Sequence, residues 1–179
     1  MENLPSEGVL RAVFVRSMMA HARIGGLDAR EALAMPGVVG VFVAEDLALG
    51  PISAGGVLDE VFARPVLAAD VARFVGEPIA VLVARTAAQA EDAAEAVTVD
   101  YDPLPATVDP ERSLHPAAPL LFPEHGSNLA HAFEGGLDEG DPLAAAEVVV
   151  RGRFVNQRLA PVPMETDGAL AVPGEPAGG

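Results

Sequence analysis

The sequence predicts an α+β fold: a mixed sheet with short Ala-rich helices, then a Pro-rich connector and an incomplete second domain. Three observations carry that reading. Short apolar runs alternate with period two, as strands do. Between them lie Ala-rich helices that begin at capping signals. From residue 103 to 143 seven prolines interrupt any regular pattern.

The elements follow in order. In "GVLRAVFVRS" (8 to 17), Val9, Val13 and Val15 share one parity and Leu10, Ala12 and Phe14 the other. Both faces are apolar, which predicts a central strand covered on both sides. "HARIGGLD" (21 to 28) is a second extended piece. Asp28 with Glu31 three residues on has capping-box spacing and predicts a short helix from Ala29 to Ala34, stopped by Pro36 and Gly37. "VVGVFVAEDL" (38 to 47) reads as a further strand. Residues 48 to 64 form a Gly-rich loop whose glycines match neither a dinucleotide fingerprint nor a phosphate loop.

The best-formed unit opens at "RFVGEPIAVLVA" (73 to 84). Ile79, Val81 and Val83 alternate with Ala80, Leu82 and Ala84 to make a buried strand. Thr86 and Gln89 form a second capping box, ahead of a helix whose Ala90, Ala93, Ala94 and Val97 recur at helical spacing. "VTVDYDPLP" (97 to 105) returns as a strand. After the connector, Asp141 and Pro142 have the order of an N-cap and first helical residue, leading through a short Ala helix to a strand from Val148 to Phe154. Gly168 to Val172 reads as one hairpin arm and "PGEPAGG" as its turn, so the last domain is expected to be truncated. The expected boundaries are 8–109, 110–140 and 141–179.

Composition excludes several functions. The formal charge is −15, unsuited to nucleic acid or an anionic membrane surface. All eleven basic residues are arginine, so no lysine chemistry is available. Cysteine is absent, which removes thiolate nucleophiles, disulfides and iron–sulfur ligation. No signal peptide or apolar membrane span is read, and the cytoplasm is the expected compartment. The spacings of His115, His125 and His131 do not suit a helical metal pair, and no serine has a nucleophile-elbow context.

The candidate site residues are few. Gly76 can adopt a backbone conformation closed to other residues, and Pro78 lacks an N–H and fixes its own φ. Together they set the mouth of the strand and aim Glu77. That carboxylate either anchors the turn, through neighbouring backbone or Arg73, or faces an interface with further domains. Asn156, Gln157 and Arg158 stand at a strand end, and Glu165 lies in the apolar setting "APVPMETDGALAV".

Five stretches in order, "FVRSMMAHARIGGLD", "MPGVVGVFVAEDL", "RPVLAADVARFVGEPIAVLVARTAAQAEDAAEAVTVDYDPLPATVD", "GD" at 140–141 and "NQRLAPVPMETDGALAV", together resemble the start of the large subunit of molybdenum hydroxylases. That family includes xanthine dehydrogenase, aldehyde oxidase and aerobic carbon monoxide dehydrogenase. The resemblance implies an α/β hammerhead domain over 8–109 and the opening of a molybdopterin-binding domain from about 141. For the complete enzyme it implies molybdenum–molybdopterin, hydroxylation with water as oxygen source, and iron–sulfur and flavin partners. In that enzyme Glu165 either lies near the metal-site funnel or is a loop carboxylate bonded to backbone, and an amide such as Gln157 either donates to the pterin or serves the solubility of an edge strand. The resemblance also implies that the general-base glutamate and most pterin loops lie on polypeptide outside these 179 residues, so that no cofactor is expected on this chain alone. The segment Met164-Glu165-Thr166-Asp167 departs from the family's usual Pro-Arg after the glutamate. The rival reading is a stand-alone acidic binding or scaffolding module without redox activity.

Overall fold

Six strands and four short helices arise from these patterns in the computed structural model, which describes residues 8–133, 143–155, 162, 164 and 168–172. The strands are β1 (Arg11–Arg16), β2 (Ala22–Asp28), β3 (Val38–Phe42), β4 (Val71–Ala72), β5 (Pro78–Ala84) and β6 (Thr98–Pro103). The helices are α1 (Arg30–Ala34), α2 (Ala44–Leu47), α3 (Ala87–Glu95) and α4 (Pro110–Ser113). The α+β class and the short Ala-rich helices are as the sequence predicts.

The strand pairing is different from one mixed sheet. Two three-stranded sheets form, in the orders β1-β5-β3 and β4-β2-β6, and every pair is antiparallel. The strands that flank α3 therefore sit in different sheets: β5 in the first, β6 against β2 in the second. β5 is the central strand, and β1 is an edge. The arginines that bracket β1 at residues 11 and 16 are both exposed, which an edge tolerates and a centre does not.

One face of the first sheet packs against the helices. Ala32 of α1, Leu82 and Ala84 of β5, and Ala90 and Ala93 of α3 are fully buried together. Val13, Val38, Val41 and Met35 pack around them. Alanine at the contact positions of α3 lets the helix lie close to the sheet, which is why this core needs no aromatic residue. Thr86 caps α3, its Oγ1 accepting from the Gln89 N–H at 3.2 Å. The Gln89 side chain lies over Gly37, which has φ +85°.

Two helix starts differ from expectation. The cap of α1 is Ala29, and Asp28 ends β2 instead. Its Oδ1 still accepts from the Arg30 N–H at 3.0 Å, so the carboxylate serves the same orphan donors from one residue further back. The run 38–47 is not one strand: it turns at Val43 into α2. Asp46 reaches back to accept from the Val43 N–H at 2.9 Å, a local bond that stops the ladder.

Residues Ser6–Phe133 form one compact unit, and Met1–Pro5 with Glu134–Gly179 form another. Within the first, the Pro-rich stretch has α4 and little other regular structure, as predicted, but it is held in place. Asn128 Nδ2 donates to the Ser113 and Pro119 carbonyls at 3.0 and 2.9 Å, and its Oδ1 accepts from Leu121 N–H. Phe122 and His125 both meet the ring of Phe62 edge-on, at 4.9 and 4.7 Å.

In the second unit the expected strand from Val148 to Phe154 is not formed. Residues 143–145 make a turn, with Ala146 N–H donating to the Leu143 carbonyl, and 148–155 pair with no strand among the described residues. A period-two apolar pattern makes a strand only where a partner supplies the ladder. Residues 168–172 are likewise outside any strand. Asp141, Pro142 and the turn expected at "PGEPAGG" lie outside the described residues.

Candidate functional site

The stretch Phe74-Val75-Gly76-Glu77 is a β-turn, closed by the Glu77 N–H donating to the Phe74 carbonyl at 3.2 Å. Gly76 occupies its third position with φ +92°, the left-handed conformation that a type II turn demands there. A β-carbon at Gly76 would meet nothing within 4 Å, so the requirement is conformational rather than steric. The residues that follow enter β5 at Pro78.

Two strands are tied together at this turn. Gly76 N–H donates to the Ser17 carbonyl at 2.7 Å, and Ser17 N–H donates to the Glu77 carbonyl at 2.8 Å. Arg16 Nη1 adds a bond to the Gly76 carbonyl at 2.9 Å. The Pro78 carbonyl accepts from Ala68 N–H at 2.8 Å. The turn thus fixes the end of β1, the mouth of β5 and the segment before β4 in one place.

Glu77 is 3% exposed. Its Oε2 accepts from the Arg73 backbone N–H at 2.5 Å. Of the roles open to it from the sequence, the geometry shows a carboxylate that anchors backbone, and Arg73 is its partner through the main chain. The Arg73 guanidinium turns elsewhere, over the ring of Phe122 at 4.8 Å. Burying a polar group is costly unless hydrogen bonds replace the lost water, and this carboxylate closes a five-residue loop by accepting one.

The other buried polar side chains behave alike. Ser17 Oγ donates to the Met19 carbonyl at 2.9 Å and accepts from the Met19 N–H at 3.0 Å. His21 Nδ1 lies 2.8 Å from the Pro105 carbonyl, a contact that requires the proton on Nδ1. His115 Nδ1 accepts from Ala117 N–H, and His125 Nε2 lies 3.2 Å from the Leu129 carbonyl. No three His, Asp or Glu side chains converge as a metal site among the described residues. An open depression of about 700 Å³ beside α4 is lined in part by Asp109 and Arg112, but Asp109 already caps α4 and faces Arg112 at 3.7 Å.

Gln157 and Glu165, with Asn156 and Arg158, lie outside the described residues. The structure therefore brings together Gly76, Glu77 and Pro78, and adds Ser17, Arg16 and Arg73 to them. Arg73 is already a local candidate, but Arg16 and Ser17 carry no local signal in the sequence: they stand some sixty residues away along the chain and reach the turn through the β1–β5 ladder.

Residues 1–105 match the family described as aldehyde oxidase and xanthine dehydrogenase, a/b hammerhead domain. Across 93% of its length the chain is 36% identical to the 6-hydroxypseudooxynicotine dehydrogenase complex subunit gamma of Paenarthrobacter nicotinovorans, covering 22% of that protein. It is 39% identical to the carbon monoxide dehydrogenase large chain of Afipia carboxidovorans, over 89% of this chain and 21% of that one. The fold is similar to the aldehyde oxidoreductase from Desulfovibrio gigas, with a TM-score of 0.61 and 31% identity over 67% of this chain and 14% of that one. The chain spans about a fifth of the length of the curated relatives it matches. With the two sheets, the capped Ala-rich helix and the Gly76–Pro78 turn in place, this chain belongs to the aldehyde oxidase and xanthine dehydrogenase family through its α/β hammerhead domain.

Proposed function

We propose that this chain is the hammerhead scaffold of a molybdopterin-dependent hydroxylase or dehydrogenase large subunit, a part that positions other polypeptide and does no chemistry itself. The observation that carries the reading is that Ser17, His21 and Glu77, the buried polar residues among those described, all use their side chains to hold backbone. In this reading no step of the reaction is assigned to the described residues. Gln157 and Glu165 remain candidates toward that group. Molybdenum–molybdopterin, and iron–sulfur and flavin subunits or domains, are the cofactor and partners of the complete enzyme in this reading. An aldehyde, a purine-like heterocycle or CO is its substrate class, and the cytoplasm its compartment. The described residues contain no helix long and apolar enough to cross a membrane.

The test is metal analysis and dye-linked dehydrogenase assay of the purified 179-residue chain. The expected result is neither stoichiometric molybdenum nor turnover with an aldehyde, a purine or carbon monoxide, while the chain isolated from its own cells accompanies a molybdenum-containing polypeptide. Stoichiometric pterin and turnover without any further polypeptide would overturn the proposal.

A further inference from the structure

We infer that the uncovered face of the β1-β5-β3 sheet, apolar with an arginine at each end, is the surface on which the rest of the large-subunit polypeptide docks, that polypeptide presenting an apolar patch rimmed by carboxylates. The inference rests on the scaffold reading above. In antiparallel strands, residues directly opposite each other point to the same side. Phe14, Val81 and Phe42 make one row across the sheet, and Ala12, Val83 and Gly40 the next. Both rows face away from the helices, because their neighbours Val13, Leu82 and Val41 are the ones packed in the core. The ring of Phe42 lies back over Gly40, where a β-carbon would stand.

This face is apolar and open. Phe14 is 44% exposed and Phe42 36%, and Leu10, which continues the parity of Ala12 and Phe14, is 47% exposed. The chain has only eight aromatic residues, and two of them flank Val81 in one row here in contact with solvent. The sequence of β1 is apolar on both parities, the pattern of a strand covered on both sides, while only one side is covered.

The rim says what covers it. Arg16 stands at one end, its guanidinium 5.4 Å from the centre of the Phe14 ring. Arg85 continues the parity of Val81 and Val83 at the other end and is exposed. No Asp or Glu occupies the paired positions of this face, in a chain with 26 acidic residues. A second copy docking by the same face would set arginine against arginine, and two copies of net charge −15 repel. The occupant is instead a different surface, apolar at its centre with carboxylates for Arg16 and Arg85. The relatives extend well beyond the matched region, since this chain covers only about a fifth of each.

The experiment uses the whole chain, affinity-tagged in its own cells, with Phe14 or Phe42 replaced by photoreactive benzoylphenylalanine, and Asp102 on the other sheet replaced likewise as a control. Cross-linked peptides are identified by mass spectrometry. Positions 14 and 42 are expected to link to polypeptide that aligns with the molybdenum hydroxylase large subunit beyond its first fifth, and position 102 not to. Introducing Phe14→Asp with Phe42→Asp is expected to cut the co-isolated polypeptide by on the order of tenfold or more, as loss of two central anchors does. If that polypeptide co-isolates but links only from position 102, or the double variant retains it fully, the docking face is wrong and the scaffold reading stands. Should positions 14 and 42 link only to a second copy or to an unrelated family, the inference fails. If no large-subunit polypeptide accompanies the chain at all, the scaffold reading fails with it.

Discussion

The backbone N–H of Arg73 donates to Oε2 of Glu77, four residues on, and so closes the loop that leads into β5. Glu77 is 3% exposed and the bond it makes is partly buried. Glu77→Ala leaves that N–H without an acceptor, and an orphaned buried donor costs about 1–3 kcal/mol. Glu77→Gln keeps an acceptor oxygen of the same reach and is expected to cost less than Glu77→Ala. Urea unfolding of the two variants, with unchanged slope, checks the order; equal losses would mean that the charge rather than the hydrogen bond matters.

Two glycines with positive φ separate conformational from steric cost. Gly76→Ala is strained by its φ of +92° alone, since nothing stands where the β-carbon would go; the expected cost is about 1–2 kcal/mol. Gly37→Ala bears a similar φ of +85° and also drives its methyl into the Gln89 side chain. The atoms met are the far end of that flexible side chain, which can turn aside, so Gly37→Ala is expected to cost little more than Gly76→Ala. A double-mutant cycle of Gly37→Ala with Gln89→Ala measures the steric remainder, and a large coupling would show that the Gln89 amide is held in place.

The residues that sequence reading placed well are those whose cause is local. The β5 alternation, the Thr86 cap and the glycine at position 76 each depend on neighbours within a few positions, and each stands where the pattern puts it. What could not be read was pairing. Whether β1 is central or an edge depends on β5, some seventy residues on, and whether residues 148–154 form a strand depends on a partner strand. The Asp28 cap failed more subtly: the same carboxylate serves the same N–H, but from a strand end rather than from the N-cap. Of the site, anchoring is one of two roles the sequence leaves open to Glu77, and neither its burial nor the choice of Arg73 backbone over its guanidinium is legible there. That guanidinium is drawn to Phe122, fifty residues downstream, and nothing in the spacing announces it.

Asp28 and Arg30 set a pH dependence of definite sign. The side-chain hydrogen bonds from Arg30, the shortest 2.6 Å from Nη2 to Oδ2, hold the Asp28 carboxyl down to about 2 from its usual 3.8. A carboxyl whose folded-state value is depressed stabilises the fold above its unfolded value and loses that contribution as pH falls through the folded one. The window therefore runs from about pH 4 down to about pH 2. Both side chains are largely exposed, so the effect on stability is small and screened by salt. The direct check is the Asp28 carboxyl carbon shift by NMR: a midpoint near 2 in the native chain, and a return toward 3.8 in Arg30→Ala. An unchanged midpoint in that variant would remove Arg30 as the cause.

The Pro-rich stretch owes its place to Phe122. Its ring meets Phe62 edge-on at 4.9 Å and receives the Arg73 guanidinium at 4.8 Å, so it joins the stretch to two loops of the sheet unit. An edge-to-face pair contributes about 0.5–1.5 kcal/mol and a cation over a ring about 0.5–1 kcal/mol. Phe122→Ala removes both, which amounts to about tenfold in the fraction of molecules with the stretch detached, at 1.4 kcal/mol per factor of ten. The helices and strands do not depend on that ring, because the core of Leu82, Ala84, Ala90 and Ala93 lies between α3 and the first sheet. Limited proteolysis is therefore expected to cut between residues 114 and 127 about tenfold faster in Phe122→Ala, while the midpoint of global unfolding barely moves. A drop in that midpoint equal to the local loss would show the stretch and the sheet unit to open together rather than in two steps.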